Sequence, residues 1–352
     1  MSIFLASIHL SVHGRTASIT ANMALEGGAL AGAVIGGILA CLLGLGLLLF
    51  LIRLWMQGPK CRSSKRLDGK TVVITGANTG IGKICALEMS KRGAKVVLLC
   101  RSTDRGEAAA EEIRKETEGE VIVHKMDLSS LTSVRQCAEQ LMNSLDRIDI
   151  LLNNAGVMVC PELRTEEGFE MQIGTNHFGH FLLTNLVMPL LKKAAPGARI
   201  VNVSSMAHER GEMYWDDINF EKTPYHALNA YCQSKLANVL FTKELAKKGE
   251  GSGVSAYALH PGVINTELGR SIKDTYGVVT YFFFRAFQFL IKTPEAGAQT
   301  SLYCCLEEGL EEASGKYYSD CREKTPAPAA RREEDAKRLW DLSEKLTKLS
   351  QS

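Results

Sequence analysis

The feature that most limits what this chain can fold into is the stretch Val72-Val73-Ile74-Thr75-Gly76-Ala77-Asn78-Thr79-Gly80-Ile81-Gly82-Lys83. An apolar strand run passes there directly into a helix pattern through a turn with three glycines. Glycines at 76, 80 and 82 permit a tight turn and let a pyrophosphate approach backbone N–H groups at the positive end of the helix. This is a relative of the dinucleotide fingerprint with its own glycine spacing. A glycine-rich turn that serves no nucleotide is the competing reading, and the residues downstream decide between the two.

Short apolar runs recur at 71–75, 96–100, 121–126, 150–153, 199–203 and 254–258, separated by helix patterns such as 108–117 and 131–145. Alternation of short buried strands with crossover helices predicts an α/β fold: a doubly wound, Rossmann-type parallel sheet covered on both faces. Ligands of such sheets bind at the carboxyl ends of the strands. The second strand ends in Cys100-Arg101, where a carboxylate would select NAD and an Arg the 2′-phosphate of NADP. No acid stands there, so NADP(H) is the favoured cofactor. The fourth strand ends in Asn153-Asn154-Ala155-Gly156 and the fifth in Ser204-Ser205, at the same edge.

Residues 229–238, Asn-Ala-Tyr-Cys-Gln-Ser-Lys-Leu-Ala-Asn, read as helix from their propensities and from the spacing of Ala230, Ser234 and Ala237. Residues four apart share a face, so Tyr231 and Lys235 emerge side by side. A fixed cation beside a phenol favours phenolate, and the expectation is a Tyr231 pKa lowered by Lys235 to serve as general acid/base. Alone, Tyr-x-x-x-Lys is a weak signal. Its weight comes from standing in order behind the glycine turn and the two strand ends.

The motif Thr75-Gly-Ala-Asn-Thr-Gly-Ile-Gly82, then Asn153-Asn-Ala-Gly156, Asn176, Ser205 and Tyr231-x-x-x-Lys235, resembles the short-chain dehydrogenase/reductase superfamily. Leu99-Cys-Arg101, Asn176-His-Phe-Gly-His-Phe181, His260-Pro-Gly262 and Ser314-Gly-Lys-Tyr-Tyr-Ser-Asp-Cys321 look like its retinol dehydrogenase branch. The resemblance covers residues 67–321, with an N-terminal anchor that matches in position and character only. It implies a catalytic tetrad of Asn176, Ser205, Tyr231 and Lys235, with Ser205 also on the substrate carbonyl and Asn176 holding a relay water. Cofactor contacts are implied at Gly76, Asn78, Thr79, Gly80, Ile81, Gly82, Arg101, Asp127 and Leu128. Asn154, Ala155, Gly156, Tyr231, Lys235, Pro261, Gly262, Val263 and Thr266 complete that set. His177, His180 and His260 are read as structural, because the Tyr/Lys pair already fills the acid/base role.

Residues 29–52 are all apolar or Gly, long enough to cross a hydrocarbon core that needs about 20 helical residues. Basic residues Arg53, Lys60, Arg62, Lys65 and Arg66 follow the run, against Arg15 alone before it, which places the later residues in the cytosol. The sequon Asn202-Val203-Ser204 falls in a predicted core strand, in keeping with that topology. The expected organisation is a segment without fold signal at 1–28, an anchor at 29–52, a basic linker at 53–66, a catalytic domain at 67–321 and a tail with a helix at 322–352. An apolar stripe of Leu339, Leu342, Leu346 and Leu349 suits that helix for docking on the domain. Residues 281–291 carry five Phe and one Tyr; they read either as a lid over an apolar substrate that also touches the bilayer, or as an amphipathic core helix.

A net charge of +2 suggests no nucleic-acid partner, and ten cysteines without C-x-x-C spacing argue for a reducing compartment and against zinc. Three functions remain in view: interconversion of retinol-like alcohols and retinal-like aldehydes; reduction of another lipid carbonyl, such as a steroid ketone or a fatty or peroxidation-derived aldehyde; and a cofactor-binding scaffold without turnover. The physical partners expected are an apolar small molecule and the membrane, the endoplasmic reticulum being the expected site and an oligomer being compatible.

Overall fold

The computed structural model describes residues 2–264, 273–277 and 291–349. Two compact units make up the chain, Met1–Met56 and Gln57–Ser352. The first is one helix, α1 (Ser2–Met56). Its apolar span, Gly32–Met56, is 25 residues long, and the side chains from Gly32 to Ile52 are exposed. A core helix of a water-soluble protein would bury such residues. Residues 2–28, where the sequence carries no clear fold signal, continue the same helix; they hold no proline, and extending a helix costs far less than starting one.

The second unit is built on an eight-stranded sheet among the described residues, in the order β3-β2-β1-β4-β5-β6-β7-β8. Its strands are β1 (Thr71–Thr75), β2 (Lys95–Cys100), β3 (Val121–Lys125), β4 (Ile150–Asn153), β5 (Ala198–Val203), β6 (Val254–His260), β7 (Tyr317–Ser319) and β8 (Arg322–Glu323). Only the β7–β8 pair is antiparallel. The six runs expected from sequence are therefore strands of a doubly wound sheet. β7 and β8 were not expected: they are three and two residues long, joined through Asp320 and Cys321 at positive φ, and leave no strand-length apolar run to read.

Side chains along each strand alternate between the two faces. Val72 and Ile74 of β1 pack with Met89, Ile113 and Cys304, under α2 (Gly80–Lys91), α3 (Thr103–Thr117) and α9 (Pro294–Leu306). Val73 packs the other way, with Leu141, Phe181, Leu240 and Leu339. That face is covered by α4 (Leu131–Ser144), α5 (Met171–Ile173), α6 (Gly179–Leu186), α7 (Met188–Lys193), α8 (Ala227–Lys248) and α10 (Glu333–Thr347). Ser102, Ser130 and Thr293 cap α3, α4 and α9, each accepting from a backbone N–H three residues on. In the tail helix α10, Leu339 is fully buried, and Leu342, Leu346 and, two residues past the helix, Leu349 lie against the same core. The leucine stripe is thus a docking face.

Candidate active site

Strand order reverses direction between β1 and β4, which opens a crevice at their carboxyl ends. Gly76 turns the chain there with φ +64, and a Cβ on it would stand 2.9 Å from the Ala155 Cβ. A Cβ on Gly82 would stand 2.5 Å from the Gly76 carbonyl oxygen, so glycine is required for the turn to close on itself. Thr79 occupies the N-cap of α2 without a side-chain cap bond. The first-turn N–H groups of α2 therefore keep their capacity to hold an anion. Asn154 ties the adjacent loop to β1: its backbone N–H donates to Thr75 Oγ1 and its Nδ2 to the Thr75 carbonyl, each at 2.9 Å.

A cavity of about 610 Å³ follows this crevice. Gly76, Asn78, Thr79, Gly80 and Ile81 form its wall at the glycine turn, Arg101 lies after β2, and Asp127 and Leu128 lie after β3. Asn154, Ala155 and Gly156 continue it after β4, Ser205 after β5, Tyr231 and Lys235 from α8, and Pro261, Gly262 and Val263 after β6. One Asp127 oxygen, Oδ1, accepts from Ser129 N and Ser129 Oγ. Gly82 and Asn176 belong to the same assembly but stand behind the wall. Thr266 and residues 281–290 lie outside the described residues.

Tyr231 and Lys235 share one face of α8, with the Lys235 Nζ 5.7 Å from the Tyr231 ring centre. Lys235 donates to the Val203 carbonyl at 3.2 Å. The electrostatics depart from expectation. Burial pushes the Tyr231 phenol up to about 12, against an opposing hydrogen bond from Ser205, and burial pushes Lys235 down to about 8. Desolvation raises the phenol and also lowers the lysine, and no effect of Lys235 offsets the rise, so the expected depression of the Tyr231 pKa is not found in the protein chain itself. The two adjacent serines have separate tasks. Ser204 Oγ donates to the Lys235 carbonyl at 2.6 Å and pins α8 to β5, while Ser205 Oγ accepts from Ala207 N at 3.1 Å and faces the cavity.

Asn176 sits in a π-helical turn, Gly174–Phe178, between α5 (Met171–Ile173) and α6. Such turns offset a side chain from the regular helical ladder. Its Oδ1 accepts from Val157 N at 2.8 Å, and its Nδ2 donates to the Val157 carbonyl and to Ser234 Oγ, each at 2.9 Å. The three histidines read as structural are all buried. Burial pushes His177 down to about 3 and His180 and His260 down to about 4, so each is neutral. His177 Nε2 meets Ser343 Oγ of α10 at 2.8 Å, and His260 Nδ1 accepts from Gly262 N at 3.2 Å.

Sequence reasoning missed several residues here. Ser102 and Arg105 line the cavity beside Arg101; the Ser102 cap, which puts Arg105 in the first turn of α3, was a usable signal. His208 accepts from Ala327 N at Nε2, 3.2 Å, so its Nδ1–H donates to the Ser205 carbonyl at 2.7 Å. It stands only three residues from Ser205, but the Ala327 contact that sets its tautomer lies 119 residues away, beyond the reach of local spacing.

A doubly wound sheet, an uncapped glycine turn at its switch point and a Tyr/Lys pair on the far wall define a nicotinamide-type oxidoreductase fold and site. The short chain dehydrogenase family matches residues 70–277. Human retinol dehydrogenase 13 is 49% identical over 303 residues, covering 85% of this chain and 91% of the relative. Human retinol dehydrogenase 12 is 50% identical over 293 residues, covering 83% and 90%. Among solved structures, an uncharacterised protein from Mycobacterium Paratuberculosis shares 36% identity and a TM-score of 0.66, over 83% of this chain and 98% of its own. The chain belongs to the short-chain dehydrogenase/reductase family of oxidoreductases, which bind a nicotinamide cofactor, and within it to the retinol dehydrogenase branch.

Proposed function

We propose that the protein is a membrane-anchored, NADP(H)-dependent oxidoreductase that interconverts retinol-like alcohols and retinal-like apolar aldehydes, with Tyr231 as general acid/base. The observation that carries this reading is the meeting of Tyr231, Ser205 and Lys235 on the wall of the cavity that starts at the glycine turn. The residues present fit the cofactor: a turn into which no Cβ can be built, free helix N–H donors for the pyrophosphate, and Arg101 with Arg105 on the wall for a 2′-phosphate. A bound nicotinamide would supply hydride to the carbonyl carbon in reduction and accept it from the alcohol carbon in oxidation.

The chain's own residues handle the oxygen and its proton. A phenol held up to about 12 is in its proton-donating form at neutral pH, the form that reduction needs. Tyr231 donates to the carbonyl oxygen while Ser205 hydrogen-bonds that oxygen and, through its contact with Tyr231, aligns the two groups. Lys235, anchored to the Val203 carbonyl, would bind the nicotinamide ribose and is mostly protonated at neutral pH, its lowered value being about 8. Asn176 holds a water that returns the proton to Tyr231. Gly76, Asn78, Thr79, Gly80, Ile81 and Gly82 hold the pyrophosphate side, Asp127 and Leu128 the adenine, and Asn154, Ala155, Gly156, Pro261, Gly262, Val263 and Thr266 the nicotinamide half.

Relatives named retinol dehydrogenase at 49% and 50% identity support the retinoid as substrate. A panel of retinal, a steroid ketone and alkyl aldehydes, each offered with NADPH and NADH, tests it. Fastest NADPH consumption with retinal is expected; preference for an alkyl aldehyde or a steroid would move the enzyme to another lipid carbonyl, and no turnover with any of them would leave a scaffold. Residues 29–52 are proposed as the anchor, in the endoplasmic reticulum, with the catalytic unit cytosolic. Protease added to sealed microsomes should digest that unit, and full protection without detergent would reverse the topology. The aromatic segment at 281–291 is proposed as the wall for the apolar chain of the substrate.

A further inference from the structure

His180 is buried, with 2% of its surface exposed, and it touches both halves of the site. Its Nε2 lies 2.9 Å from Thr75 Oγ1 at the end of β1, and its Nδ1 lies 3.0 Å from the Asn176 carbonyl oxygen in the π-turn. The direction of each bond follows from counting. Thr75 Oγ1 already accepts from Asn154 N and Ala155 N, both at 2.9 Å. A hydroxyl has two lone pairs and one proton, so Thr75 must donate that proton to Nε2. The ring then carries its own proton on Nδ1 and donates it to Asn176. Burial, which keeps this ring neutral, is in accord with one fixed tautomer.

We propose that His180 is a positioning residue that couples the cofactor-side backbone at 154–155, through Thr75, to the Asn176 carbonyl on the proton-relay side. This rests on the reading above, in which Asn154 and Ala155 hold the cofactor and Asn176 serves the proton path. Each nitrogen has its own task. Nε2 orients the Thr75 hydroxyl so that both of its lone pairs face the 154–155 loop; Nδ1–H fixes the direction of the carbonyl in a turn that the regular ladder does not stabilise. A side chain that fills space alone would not need both.

The two tasks can be separated, because an asparagine amide reaches about as far as Nδ1 and a glutamine amide about as far as Nε2. His180→Asn keeps the donor to Asn176 and loses Thr75. His180→Gln keeps the acceptor for Thr75 and loses the donor to Asn176. NADPH Kd by fluorescence titration, and kcat with the best carbonyl of the panel, are measured for both, with thermal melting alongside. The expected result is a split: His180→Asn weakens NADPH about tenfold with kcat within about threefold of wild type, and His180→Gln does the reverse, each change being the size of one orphaned buried hydrogen bond. Thr75→Val, which leaves the ring untouched, should reproduce the Kd change of His180→Asn.

Equal losses of Kd and kcat in both variants, or wild-type values in both, would overturn the coupling. So would a Thr75→Val protein that loses kcat and keeps its Kd. If melting shows that either histidine variant is unfolded at assay temperature, Kd and kcat of all the proteins are read below its melting midpoint, where the same split is expected and its absence overturns the coupling. An inactive wild type would refute the assigned function instead, and the Kd pattern, which needs no turnover, then decides this proposal.

Discussion

On the face of the sheet under α2, α3 and α9, most of the core is aliphatic and sulfur-rich: Ile74, Met89, Leu98, Ile113, Leu152, Cys304 and Cys305 fill it around Tyr257 and Tyr318. A buried polar tie there is Arg199, which donates to the Cys304 carbonyl at 3.1 Å and to Glu311 at 2.7 Å. On the face under α4, α6, α8 and α10, apolar packing is threaded by buried side-chain hydrogen bonds. Asn153 Nδ2 donates to Thr184 Oγ1 of α6 at 2.9 Å and to Asn202 Oδ1 at 2.8 Å, and Asn202 Nδ2 donates to Thr242 Oγ1 of α8 at 2.9 Å. His177 reaches α10 through Ser343, and His180 reaches β1 through Thr75. Apolar packing is non-directional and tolerates repacking, whereas a buried polar network admits few geometries. The face that carries α8 and the π-turn is thus the one whose helices are tied to the sheet and to each other by side-chain bonds at several points, whereas the other is held mainly by apolar area, with Arg199 of β5 tying α9.

The comparison breaks most visibly at the end of the polar face. Tyr231→Phe should lower kcat by about 10²- to 10⁴-fold, the range of general acid/base catalysis, with a melting temperature near that of wild type. NADPH consumption and a thermal melt check it, and turnover close to wild type would remove Tyr231 from the mechanism.

Next come paired core substitutions. Met89→Ala, on the aliphatic face, should cost about 2–5 kcal/mol in urea unfolding while kcat per folded molecule stays unchanged. Asn202→Ala, on the polar face, leaves donors and acceptors of Asn153 and Thr242 unpaired. Its cost should be smaller, about 1–3 kcal/mol, and kcat should fall with it because β5 and α8 lose registration. Equal kinetic effects from the two would erase the distinction between the faces.

Acid should act on the polar face first. His177 and His180 are held at about 3 and about 4 by burial, below the unfolded value of about 6.5. The unfolded chain binds the protons more tightly, so the contribution of these groups is fully present above pH 6.5 and is lost as pH falls towards their folded values. At pH 5 the loss is about 2 kcal/mol for each histidine. Urea unfolding at pH 7.5 and pH 5 should show it, and His180→Gln should recover one histidine's share; an unchanged slope in that variant argues that the ring is not the titrating group.

The smallest expected effect on stability belongs to Arg101, which lies beyond both faces at the strand edge. Arg101→Asp should leave unfolding unchanged and shift preference from NADPH towards NADH by roughly tenfold or more, the worth of a charge-assisted phosphate contact. KM for both cofactors reads the result, and a wild type that already prefers NADH contradicts the assignment of this position.

Much of this site was legible before folding. The glycine turn, the two strand ends and the Tyr/Lys pair are local patterns: each function depends on neighbours within a few residues, so spacing alone reveals them. Lost to sequence were the residues that act across the chain. His208 meets Ala327 at a separation of 119 residues, and His177 finds its partner Ser343 at a separation of 166 residues. The tail stripe declared that α10 docks, but not that it docks beside the π-turn.

The sequence by itself determined the strand and helix alternation, the carboxyl-edge location of the chemistry and the pairing of Tyr231 with Lys235, because periodicity and i,i+4 geometry are short-range properties. Only the tertiary structure decided the ionisation of that pair. Spacing predicts a lysine cation lowering a phenol, yet burial of both side chains raises Tyr231 to about 12 and lowers Lys235 to about 8. Desolvation depends on everything packed around a group, including β5, the π-turn and the loop after β4, and that sum exists only once the chain has folded.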